Sequence, residues 1–168
     1  QMTKEDIKKQ YHRLSSDFAT KPFESVYGEC RKIIKKYYSC FPFLLSMIQL
    51  LLNYSILAKN MAVKKQIFQR CIMLCMRVKE ESDSISDIKD ANTKEAIAEM
   101  ALGNSEEVIR LLGGELAPYS GDDVILVTVH MLHQLNGRYD GHLMLTAAGA
   151  VDDTQLNFLH PIPLYTSY

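Results

Sequence analysis

The sequence predicts an all-α protein built as an array of antiparallel helix pairs. Three observations carry this reading. Apolar residues recur at helical spacing in segment after segment, which is the primary signal for amphipathic helices. The five prolines and eight glycines are few and cluster outside those periodic segments. Strand-like alternation is nearly absent; the run VILVTV at 124–129 is rich in β-branched residues, but its place inside a helix pair favours helix.

The first helix, over residues 2–19, places Ile7, Tyr11, Leu14 and Phe18 on one face, with Thr3 as its N-cap. Thr20, Lys21 and Pro22 end it, and Pro22 suits the first turn of the next helix. Residues 23–40 follow, with Phe23, Val26, Cys30, Ile33, Ile34, Tyr37 and Tyr38 on the apolar side and Arg31, Lys32, Lys35 and Lys36 opposite. The third helix, over 41–59, is the longest apolar run of the chain. Lys35, Lys36 and Lys59 flank it as they would a membrane span, but Ser46, Gln49, Asn53 and Ser55 lower its hydropathy. Such a helix must be buried under its amphipathic neighbours, and its polar residues then need partners or a ligand.

Residues 62–81 form a fourth helix through Ile67, Cys71, Leu74 and Val78. The acidic stretch ESDSISDIKD, 81–90, reads as a loosened joint. Two short helices, 91–102 and 105–116, then turn on Gly103 and Asn104. A loop at 117–122 leads to a second such pair, 123–135 and 139–148, and to a terminal helix at 151–159. The expected organisation is one domain over 1–168, with helix pairs at about 3–38, 41–80, 88–116 and 122–148.

Composition narrows the class. A hydrophobic content of 47% with 23% charged residues excludes a disordered chain. Cys30, Cys40, Cys71 and Cys75 sit inside apolar patterns, which points to buried thiols in a reducing cytoplasm, a bridge remaining open. The net charge of −1 conceals an asymmetry. Up to residue 80, 15 Lys and Arg face 6 Asp and Glu, a net of +9; beyond it, 4 face 14, a net of −10. Complementary halves that pack together or dimerise head to tail would explain it, as would a basic face beside a DNA-binding domain. The chain opens on Gln1 rather than Met, which reads as a piece of a longer protein with room for an upstream domain.

The two late helix pairs resemble each other. LGNSEEVIRLL and NGRYDGHLMLT both turn on a glycine and restart with polar, then aliphatic residues, and Gly103 and Gly137 stand 34 residues apart. That period and the residues Gly103, Glu107, Ile109, Gly137, Tyr139, Asp140 and Leu143 resemble the tetratricopeptide-repeat (TPR) family, with departures at Val108 and His142. The stretches ESVYGECRKIIKKYYSCFPFLLSMIQLLLN and MALGNSEEVIRLLGG also resemble the C-terminal regulatory part of bacterial Xre-type helix-turn-helix transcription regulators. The resemblance implies a right-handed superhelical array, a concave groove that binds a protein or peptide ligand, a homodimer, and contact with DNA only through a domain absent from this chain. A stand-alone scaffold or adaptor is the competing class.

Within that resemblance the first helix of each pair lines the groove. Gln49 and Asn53, four residues apart on the third helix, are then the preferred ligand contacts, joined by Tyr54 and His130. An amide offers a donor and an acceptor to a peptide backbone, and asparagine is expected in this role from the resemblance. The alternative has both amides capping backbone groups or bonding each other inside the array. His130 and His133, with His142 on the partner helix, could gather as metal ligands, but no fourth ligand at fixed spacing accompanies them and packing is the simpler role. Cys71 and Cys75 fit packed small hydrophobes better than a redox pair. There is no phosphate-cradling glycine loop, no GxSxG and no HExxH, so a binding protein without cofactor is expected rather than an enzyme.

Overall fold

Three of the six described helices start where a side chain takes up one of the first free amides. In a computed structural model, which describes residues 2–112, the order is α1 (Lys4–Thr20), α2 (Phe23–Lys36), α3 (Phe41–Tyr54), α4 (Met61–Glu81), α5 (Ile85–Ala101) and α6 (Ser105–Leu112). Thr3 closes a reciprocal capping box: its hydroxyl accepts from the Asp6 amide at 3.1 Å and its own amide donates to the Asp6 carboxylate at 3.1 Å. Asn60 caps α4 by accepting from the Val63 amide at 2.9 Å, and Ser84 caps α5 by accepting from the Asp87 amide at 3.2 Å. Pro42 occupies the first turn of α3, where a missing N–H costs nothing. No strand occurs among the described residues.

α3 is the hub. It lies against α1, α2, α4 and α5, and Phe43, Leu44, Leu45, Met47, Ile48, Leu50, Leu51 and Leu52 are all buried. Each of these side chains contributes about 2 kcal/mol through burial. Around them gather Leu14 and Phe18 of α1, Val26 and Ile34 of α2, Ile67, Phe68, Leu74 and Val78 of α4, and Ala91 and Ala98 of α5. Arg77 pins the α2–α3 turn to α4. Its Nε donates to the Tyr38 carbonyl at 3.0 Å, its guanidinium lies 4.0 Å from the Tyr38 ring centroid, and Nη1 meets Glu81 at 2.9 Å. No helix among the described residues is long and apolar enough to cross a membrane.

Several boundaries differ from the sequence expectation, each for a local reason. α3 ends at Tyr54 rather than near residue 59, because Ser55 is buried and donates its hydroxyl to the Leu52 carbonyl at 2.9 Å, and the chain tightens into a 3-10 turn at Ser55–Leu57. α2 stops at Lys36, where Tyr37 leaves helical geometry and Cys40 begins the next helix. Pro22 stands at the N-cap of α2 rather than inside its first turn. The acidic stretch 81–90 is not a loosened joint. Only residues 82–84 lie between α4 and α5, since the Ser84 cap starts α5 six residues earlier than the apolar pattern does. α5 is then tied back to α4 by Lys79, whose ammonium reaches Asn92 at 2.9 Å and Glu95 at 3.2 Å.

The glycine turn is as expected. Gly103 has φ +78°, its amide donates to the Met100 carbonyl at 2.9 Å, and the Asn104 amide donates to the Glu99 carbonyl at 2.9 Å, the two bonds of a Schellman motif. The other late elements expected beyond residue 112, the second glycine pair and the terminal helix among them, lie outside the described residues.

Two measurements check this account. A Cβ at residue 103 would meet no atom within 4 Å, so Gly103→Ala tests backbone conformation alone; urea unfolding should show a loss of about 1 kcal/mol. Asp6 is held below the ordinary aspartate value of 3.8 by its hydrogen bonds to Thr3. A lowered folded pKa gives stability that is present above 3.8 and is lost as pH falls through the lowered value. Asp6→Asn should therefore melt earlier than wild type at neutral pH, with the two curves converging on acidification.

Candidate functional site

The odd-numbered helices share one cavity. α1 and α5 both lie against α3, and one stripe of each faces this half-open space. From α1 come Lys4, Ile7, Lys8, Tyr11 and His12; from α3, Pro42, Leu45, Ser46 and Gln49; from α5, Asp87, Asp90 and Lys94. In every case the residues recur three or four apart, so each stripe is one helical face. The cavity volume is about 610 Å³, within the range of about 300–1,000 Å³ typical of small-molecule and cofactor pockets.

Its two sides differ in charge. The α1 side carries Lys4, Lys8 and His12. The α5 side carries Asp87 and Asp90. Lys94, at 3% exposure, is buried beneath that side and its ammonium is held by the Asp90 carboxylate. Burial, and then the charge of Asp90, raise the Asp87 carboxyl above the usual aspartate range. Ile7, Leu45 and Pro42 give the cavity apolar surface, and Gln49, at 1% exposure, is its innermost polar group.

The four residues expected to contact a ligand are placed unequally. Gln49 lines the cavity; its Nε2 donates to Asn53 Oδ1 at 3.3 Å. Asn53 is half-buried outside the lining, and its Nδ2 donates to the Tyr11 hydroxyl at 2.9 Å. The two amides thus bond each other and join α3 to α1. Tyr54 points to the far end of α1, where its ring stacks on Phe18 at 4.9 Å and its hydroxyl is hydrogen-bonded to Ser15. His130 lies outside the described residues, as do His133 and His142.

The remaining chemistry is sparse. Cys30, Cys40, Cys71 and Cys75 are free and buried. Burial pushes the Cys30 and Cys71 thiols up to about 12, and Cys75 well above its ordinary value, so none of these three supplies a thiolate at neutral pH. Among the described residues no three His, Cys, Asp or Glu side chains gather as metal ligands do. The chain matches no protein-family model, no curated protein and no solved structure.

Sequence reasoning found one lining residue, Gln49, and missed both charged walls. Lys4 and Lys8 carry no signal of their own in the sequence, and Asp87 and Asp90 fall in the stretch 81–90 read as a joint. A signal was available: Ser84 followed three residues later by Asp87 is a helix start, and counting from it sets Asp87, Asp90 and Lys94 on one face.

The Asn53–Tyr11 link can be measured. Asn53→Ala and Tyr11→Phe should each lower stability by about 1 kcal/mol, and the double variant by clearly less than their sum, in a chemical-denaturation cycle. Additive losses would mean that the bond does not form in solution.

Proposed function

We propose that the chain is a peptide-binding regulatory module whose ligand lies in the cavity between α1, α3 and α5. One observation carries the proposal: three successive odd-numbered helices present one stripe each to a shared cavity, polar and apolar from α1 and α3 and charged from α5. This is the use that a TPR-like array makes of the first helix in each pair, and it supports reading the six helices as three stacked pairs. An extended peptide needs a concave surface with apolar contact area and a few polar groups that fix its orientation, and the stripes supply both. The resemblance of the α2–α3 and α5–α6 stretches to Xre-type regulators favours a sensing and dimerising role within a cytoplasmic transcription regulator. In that role a ligand that prefers one angle between helix pairs biases an attached DNA-binding domain.

Ser46 tests the site. It lines the cavity and is half-buried, so a longer side chain there fills the space and leaves the apolar core of α3 intact. Peptides selected on the full chain from a random hexapeptide library on beads should lose at least tenfold in affinity on Ser46→Arg, read by fluorescence anisotropy. Circular dichroism should show the same helix content and melting for both proteins. Undiminished binding to Ser46→Arg would place the peptide site elsewhere.

A further inference from the structure

We infer that the ligand of the α1–α3–α5 cavity is a charge-separated peptide, its carboxylate on Lys4 and Lys8 and its cationic group on Asp87. The inference rests on the peptide-binding reading and goes on to specify the chemistry of the guest.

The reason lies in which charges the structure pairs and which it leaves. Among the described residues Arg13, Lys21, Arg77, Lys79, Lys94 and Arg110 all sit within 4 Å of a carboxylate. Lys4, Lys8 and Asp87 make no such pair, as is true of many exposed charges on the described helices, and what sets these three apart is that they line the same cavity with opposite sign. Asp90 is in part committed already, because its carboxylate holds the buried Lys94 ammonium. Asp87 is thus the uncommitted acid of its wall. It is also the costly one, since it is partly buried and repelled by Asp90.

Both walls therefore carry a charge with no ion-pair partner, and Ile7, Leu45 and Pro42 line the same space. A neutral guest would cover the apolar surface and desolvate both sets of charges without compensation. A guest with one charge would satisfy one wall at the expense of the other. A guest with a carboxylate and a cation at opposite ends makes charge-assisted hydrogen bonds on both sides and removes the Asp87 penalty. Peptides carry this pair of groups as their two termini or as an acidic and a basic side chain. The polarity also sets direction: the anionic end lies along α1 and the cationic end along α5.

The test uses the hexapeptides selected as above, each made in three forms: unaltered, with its carboxylate amidated, and with its cationic group acylated. On wild type each neutralisation should weaken binding about tenfold. On the Lys4→Gln/Lys8→Gln variant, amidation should cost nothing further while acylation still does. On Asp87→Asn the pattern should invert. These are exposed or half-exposed positions, and unchanged melting of the variants keeps the comparison free of folding effects. Peptides that Ser46→Arg displaces but whose affinity ignores both neutralisations would overturn this inference and leave the peptide site standing. Peptides that Ser46→Arg does not displace would overturn both.

Discussion

The structure depends on the enclosure of α3. A helix with eight buried apolar side chains along fourteen residues cannot face water on any broad side, so α1, α2, α4 and α5 are recruited to cover it. Enclosure then dictates what happens to its polar residues. Ser55 turns its hydroxyl back on the helix and ends it, while Gln49 and Asn53 link into a chain of hydrogen bonds that runs to Tyr11 of α1. An amide left without a partner at that depth would cost more than a made bond returns. The same amides that make α3 less apolar thus decide where α1 docks on it.

How far this was legible from residues alone differs between α3 and α5. The burial of α3, the Thr3 cap and the Gly103 turn all follow from local chemistry, because each depends on residues within a few positions of one another. α5 does not. Lys94, Glu95 and Glu99 are buried together with Ala91, Ile97 and Met100, so no face of the helix is distinctly apolar and periodicity cannot find its start. Its charges look like the marks of a solvated joint until the partners appear: Lys79 for Glu95, Asp90 for Lys94, Asn104 for Glu99. Those partners lie between four and sixteen residues away, and only packing against α4 brings the most distant one within reach. The candidate site was half visible for the same reason. Its α3 stripe could be read from one helix, whereas its walls exist only once α1 and α5 stand on either side.

Burial also separates the roles of the tyrosines and amides that a sequence would group together. Tyr11 and Asn53 hold α1 to α3, and Tyr54 anchors the other end of α1 through Phe18 and Ser15. Such contacts fix the position of the α1 wall relative to α3. On the proposed reading a guest would meet an α1 wall already positioned against α3, while the exposed Lys4 and Lys8 side chains would still be ordered on binding.

The charge gradient along the chain takes on local meaning in this arrangement. α1 belongs to the basic first half and α5 to the acidic remainder, and α3 holds them on opposite sides of one cavity. Part of that opposition is spent on cohesion, as in the Lys79–Glu95 pair that ties α4 to α5. The rest is kept apart. Lys4 and Lys8 of α1 and Asp87 of α5 line the cavity without an ion pair between them, and both helices pack on α3. On the proposed reading, charges of opposite sign on two walls of one cavity would favour a guest whose own charges run the other way, since it would lower the energy of both walls at once.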